Sequence, residues 1–284
     1  MQNISKLLLF VSVLNFVACG SDSNEGPKTV TPSDPHCPGT VSEAAPLGNN
    51  DVLVWADEFE TNGFPCTQNW TAEEGTGEWG WGNGEKQYYL RGNANAENGI
   101  LSITAREEEF GGAEYTSARI ITKRKFDFTY GRVEVRAKLP AGKGTWPAIW
   151  LLGSDYITNT WPKCGEIDIM EQKGWDKNKV LATTHWYEYG PAPAYVGHAE
   201  HSRNKSLTTS TTEFHVYALE WTTSSIKMYV DDQQVYTINP SDHMPFDNDF
   251  FIILNVAVGG TLGGTNIEAD LESSMEVDYV RVYQ

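Results

Sequence analysis

Positive charge is scarce in this chain: 21 Lys and Arg stand against 38 Asp and Glu, a formal charge of -17. That imbalance opposes nucleic acid, anionic membrane faces and sulfated polymers, because long-range repulsion acts against all three. No local basic patch offsets it. Cysteine is scarce too, at 4 in 284 residues, with no CxxC pair and no HExxH run, so a catalytic zinc site is not expected. There is no G-x-S-x-G elbow and no complete dinucleotide fingerprint, and Gly142-Lys143 is followed by Gly144 rather than by the Ser or Thr of a Walker A loop. No amphipathic pattern runs for three helical turns. What is plentiful is aromatic: 10 Trp, 13 Tyr and 11 Phe. Such rings serve either an aromatic-rich β core or a surface that stacks on sugars or bases.

The first eighteen residues read as an export signal. Lys6 precedes the apolar run Leu7 to Leu14, and Phe16-Val17-Ala18-Cys19 follows. The run is too short for a stable membrane span. Cys19 after Ala18 resembles a bacterial lipobox, which predicts residues 1–18 as a signal peptide and Cys19 as a lipidated first residue; an ordinary cleaved signal is the alternative. Residues 19–50, rich in Ser, Asp, Pro and Gly, are expected to form a tether, and 51–284 the folded domain. The expected location is the bacterial outer membrane, held by the lipid alone, with secretion as the alternative. Export implies an oxidising compartment. Cys37 with Cys66 is the expected disulfide and Cys164 the free thiol, although the three cysteines allow three single bridges.

From Val52 onward the pattern has period 2. Val133, Val135, Ala137 and Leu139 alternate with Arg132, Glu134, Arg136 and Lys138, and Ile226, Met228 and Val230 alternate with Lys227 and Tyr229. Asp231-Asp232 reads as the turn after the second of these strands. Phe250 to Val258 is apolar except for Asn255, as expected of a strand buried on both faces. Val280 and Val282 mark a final strand. Many short strands punctuated by glycine pairs predict an all-β, two-sheet antiparallel jelly-roll sandwich whose concave face holds an extended polymer.

One segment concentrates chemistry. In Glu166-Ile167-Asp168-Ile169-Met170-Glu171, three carboxylates fall within six residues. On a regular strand Glu166 and Asp168 share a face, but Glu171 has the parity of the isoleucines and would enter the core. An unpaired buried carboxylate is costly. A β-bulge around Ile169-Met170 returns Glu171 to the polar face. Glu166 and Glu171 then sit roughly 13 Å apart at Cα. Their side chains can lean to about 5 Å, the separation used by retaining glycosidases. Three like charges in one groove cannot all ionise easily, so one carboxyl is expected to keep its proton. A solvated strand face or a calcium site is the competing reading of the spacing alone.

This hexapeptide resembles the E-x-D-x-x-E signature of glycoside hydrolase family 16, and its surroundings resemble the laminarinases of that family. Asn83 to Tyr89, Tyr130 to Pro140, Gly144 to Leu152, Thr184-His185-Trp186 and Asn255 to Gly260 match in order across the domain. The resemblance implies an endo-acting β-1,3-glucanase working by retaining double displacement, with no cofactor for catalysis. It implies Glu166 as nucleophile, Glu171 as acid/base and Asp168 as assistant. It also implies Trp146, Trp150 and Trp161 as cleft rings, with core packing the alternative for Trp150. Asn83, Arg119 and Asn255 match glucose-binding polar positions, Arg119 alternatively balancing the acidic groove. His185 matches a histidine on the strand facing the catalytic one.

The family often holds one structural calcium, and Glu58, Gly99 and Asp278 match its ligands; a plain strand-edge charge is the alternative for Asp278. The expected partner is a β-glucan, and the expected state a monomer. Mixed-linkage β-1,3-1,4-glucan and agarose remain as alternative substrates, and a glucan-binding lectin as an alternative class. Residues 186–201, with Tyr187, Tyr189 and two prolines, match no pattern and are expected to form a loop at the cleft edge.

Overall fold

A computed structural model of the chain describes residues 52–189 and 197–284. The expected signal segment, the Cys19 lipidation site, the tether and Cys37 lie outside them.

Two sheets face each other. The larger has ten strands, the smaller eight. In the larger, His215–Trp221, Gly131–Lys138, Glu272–Tyr283 and Ile100–Phe110 lie side by side. The smaller runs Gly197–Ser206, Asp176–Glu188, Glu166–Lys173, Thr145–Gly153, Phe250–Val258, Arg119–Ile121. Pairing is antiparallel except where Gln87–Tyr89 joins its neighbour in parallel. The α-helix among the described residues is the four-residue turn Gly260–Gly263.

Sequence period translates directly into burial. Along Gly131–Lys138 buried and half-buried residues alternate without a break. Asp231 and Asp232 take φ of 49° and 61°, the left-handed turn that links Ile226–Val230 to Gln233–Ile238. All nine residues of Phe250–Val258 are buried. Phe250, Ile252, Leu254, Val256 and Val258 enter the core between the sheets, while Phe251 and Ile253 join a smaller apolar cluster on the opposite face. That second cluster is why the strand lacks a polar face, and Asn255 is the one polar group aimed the same way.

The expected loop at 186–201 is corrected in part. The strand Asp176–Glu188 continues through Trp186 to Glu188, and its partner begins at Gly197, so both ends of the segment are a hairpin ladder. Trp186 is buried in the core. Backbone pairing replaces the loop at these two ends, and the Pro- and Ala-rich residues 190–196 lie outside the described residues. Cys66 is disulfide-bonded and Cys164 is a free, buried thiol whose pKa burial pushes up to about 12.

Candidate active site

The strand Glu166–Lys173 starts from Gly165, whose φ is +81°. A Cβ there would lie 2.9 Å from the Phe250 ring, so a glycine is needed to bring the chain in. Glu166 then pairs with Leu152 on one side and His185 on the other. Two residues further the register shifts. Ile149 and Trp150 are adjacent, but their partners are Met170 and Asp168, leaving Ile169 as the extra residue. The other edge shifts in the same place, with Asp168 opposite Thr183 and Glu171 opposite Leu181. This is the bulge that parity required. Ile167, Ile169 and Met170 all join the main core. Glu166, Asp168 and Glu171 are left together on the outer face.

These carboxyls are poorly solvated: Asp168 is 3% and Glu171 9% exposed. Burial raises the pKa of all three, most strongly for Glu166 and Asp168. For Glu166 the negative charge of Asp168 adds to burial, while His185 and Arg119 pull the other way. For Glu171 the counterweight is direct: the Trp146 indole N–H donates to Oε1 at 3.0 Å and lowers the pKa. Asp168 has no such donor; its buried Oδ2 makes no hydrogen bond. His185 Nε2 faces Asp168 Oδ2 at 3.4 Å and Glu166 Oε1 at 3.7 Å. A cluster of this kind holds its protons to higher pH than free carboxyls do and can supply an acid beside a carboxylate.

Trp146 is buried beside the acids and orients Glu171. Trp150 projects to the outer face, half-buried, and donates to Asn255 Oδ1 at 2.8 Å, which removes it from the main core. Asn255 is itself buried and donates to the Tyr89 hydroxyl at 3.0 Å, so its amide braces the cleft wall. Arg119 bonds Glu73 at 2.6 Å and lies between the Trp81 and Trp150 rings, 4.7 and 4.9 Å from their centroids. Trp161 is half exposed and packs on His198 at 4.7 Å. Asn83 is exposed and donates to Glu85 Oε1 at 3.1 Å.

Sequence reasoning missed Glu85. Its carboxyl also accepts from Gln87 at 2.7 Å and from Tyr89 at 3.0 Å, and burial raises its pKa. The signal was present: Glu85, Gln87 and Tyr89 share one parity next to Asn83. Also missed were Trp81, which stands against Arg119, and Trp79, at 79% the most exposed large apolar side chain among the described residues.

The residues expected to hold calcium lie along the larger sheet, away from the strand of the acids. Strands Leu53–Asp57 and Ile100–Phe110 share one edge of Glu272–Tyr283, ending opposite Val280 and Val277. Glu58 and Gly99 therefore flank Asp278, where the register with Gly131–Lys138 breaks. Two backbone carbonyls beside a carboxylate fit an oxygen-loving cation. The Asp278 carboxylate also accepts from Arg136, and Glu58 pairs with Arg281, so neither side chain is idle.

Residues 83–281 match the model of the glycosyl hydrolases family 16. A β-glucanase of Rhodothermus marinus is 43% identical over 250 residues, 82% of this chain and 85% of that protein. The glucan endo-1,3-beta-glucosidase A1 of Niallia circulans is 38% identical over 274 residues, 87% of this chain but 39% of that protein. The crystal structure of LamA from Zobellia galactanivorans with laminaritriose and laminaritetraose superposes with a TM-score of 0.76 at 40% identity, covering 82% of this chain and 98% of that one.

Proposed function

The chain belongs to the glycosyl hydrolases family 16, and from that membership we propose an endo-acting, anomer-retaining hydrolase of β-1,3-glucan. The observation that carries the mechanism is the bulge at Ile169, which sets three poorly solvated carboxyls on one face.

Glu166 attacks the anomeric carbon and forms the glycosyl-enzyme, while Glu171 gives its proton to the departing glycosidic oxygen. Glu171, now a base, takes a proton from water, and the water oxygen displaces Glu166. The nucleophile must be ionised, and burial works against that. His185 and Arg119 supply the positive field that opposes burial. Trp146 keeps the Glu171 carboxyl aimed. Asp168, beside Glu166 and without a donor of its own, is the group able to exchange a proton with its neighbour as the charge moves.

Reducing-end release tests this on laminarin, mixed-linkage β-glucan and agarose, with Glu166→Ser as the blank. Laminarin is expected to lead, and Glu166→Ser to lose roughly four orders of magnitude or more while still binding glucan. Glu171→Gln is expected to lose far more on natural glucan than on activated aryl glycosides, whose leaving groups need little protonation. Equal losses would remove Glu171 from the acid role. Release from agarose alone would overturn the glucan assignment, and binding without release would favour a lectin.

A structural calcium at Glu58, Gly99 and Asp278 belongs to the same reading. Chelation is expected to lower Tm by a few degrees, with recovery on adding calcium. Asp278→Ala should abolish that response, and an unchanged Tm on chelation would remove the ion from the account.

A further inference from the structure

We propose that His185, His198 and Glu200 form a binding site for a divalent transition metal, zinc by ligand chemistry, at the rim of the cleft. The three come from the hairpin of Asp176–Glu188 and Gly197–Ser206, whose unbroken ladder fixes their register. Glu200 is directly opposite His185, and His198 opposite Tyr187, so His198 is the diagonal neighbour of His185 on the same face. The ligand atoms all lie within 4.8 Å of one another. His185 Nδ1 stands 2.9 Å from His198 Nε2 and 3.5 Å from Glu200 Oε2. Around a tetrahedral zinc with bonds of about 2.0–2.1 Å, ligand atoms sit roughly 3.3 Å apart. A small rotation of either ring opens the shorter gap.

The other side of His185 strengthens the case. Its Nε2 faces the buried, unbonded Oδ2 of Asp168 at 3.4 Å. Histidines that ligate a metal through one nitrogen almost always direct the other N–H at a carboxylate or a carbonyl. An ion on Nδ1 would fix the proton on Nε2 and supply Asp168 with the donor it lacks. Two imidazoles favour zinc, copper or nickel over calcium or magnesium. The Glu200 side chain is 58% exposed, which leaves a path for the ion and a position for water. The rival trio of Glu166, Asp168 and His185 has only one nitrogen and lies deeper. Spacing in sequence could not show the site, since its ligands meet across strands.

Calorimetric titration of the purified, chelator-washed protein with zinc chloride alone tests this without reference to turnover. One ion per chain is expected. His198→Ala and the shape-preserving Glu200→Gln should each weaken binding about 10–100-fold. His243→Ala, an exposed histidine elsewhere, should leave it unchanged. Absence of saturable binding at about millimolar zinc would overturn the site. So would binding that survives both rim substitutions, which would put the ion on the catalytic carboxyls.

Discussion

A single hydrogen bond separates Glu171 from its two neighbours. All three acids are poorly solvated, yet only Glu171 receives a direct side-chain donor, from Trp146. The bond favours the charged form, so its removal raises the Glu171 pKa further. A general acid works while protonated, and activity falls as pH rises through its pKa. Trp146→Phe is therefore expected to move the alkaline limb of the pH profile upward. It should also lower kcat/KM roughly tenfold through loss of aim. The measurement is kcat/KM on laminarin across pH for both proteins. A tenfold drop with an unmoved alkaline limb would mean that Trp146 only packs. The same bond gives Trp146 a role that the sequence alone did not show. A Trp beside a sugar site is an apolar plate, an N–H donor or both, and the register of Ala148 opposite Glu171 is what brings the Trp146 N–H within reach of the carboxyl.

At the scale of the strand, one extra residue organises the site. Deleting Ile169 removes the extra residue and leaves a regular strand in which Glu166, Asp168 and Glu171 still alternate onto the outer face. The expected result is retained but weakened hydrolysis and a destabilisation of about 2–5 kcal/mol from the lost buried side chain. Laminarin hydrolysis and denaturant unfolding check this, and complete loss of hydrolysis in a folded variant would show that the bulge places Glu171 by more than parity. The bulge was legible because simple alternation sent a carboxylate into the core, and that conflict has few structural solutions. The strands at 131–138, 226–230 and 250–258 were legible because burial there follows period 2. The hairpin ends at 186–188 and 197–201 were not, since backbone pairing leaves little mark on side-chain composition. Glu85 was hidden by its own bonds: a carboxyl satisfied by Asn83, Gln87 and Tyr89 reads in sequence as a surface charge.

Across the whole molecule the active site is a stability cost concentrated in one pH window. Below the unfolded carboxylate pKa, near 4, Glu166 and Asp168 are protonated both folded and unfolded, and burial carries little charge penalty. As pH rises, the unfolded chain releases these protons while burial makes the folded chain hold them. The folded state then binds more protons than the unfolded one, so stability falls with rising pH. The fall continues until the raised folded pKa values are passed, and the full penalty remains above them. Glu166→Gln and Asp168→Asn remove the ionisable group while keeping its shape. Each is expected to raise Tm by about 2–6 °C at neutral pH. The gain should vanish near pH 4, where the wild-type carboxyls are already neutral. Thermal melts of the inactive variants from acid to neutral pH read this directly. A gain independent of pH would assign the effect to packing, and a loss at neutral pH would mean that His185 and Arg119 more than offset burial for the ionised pair.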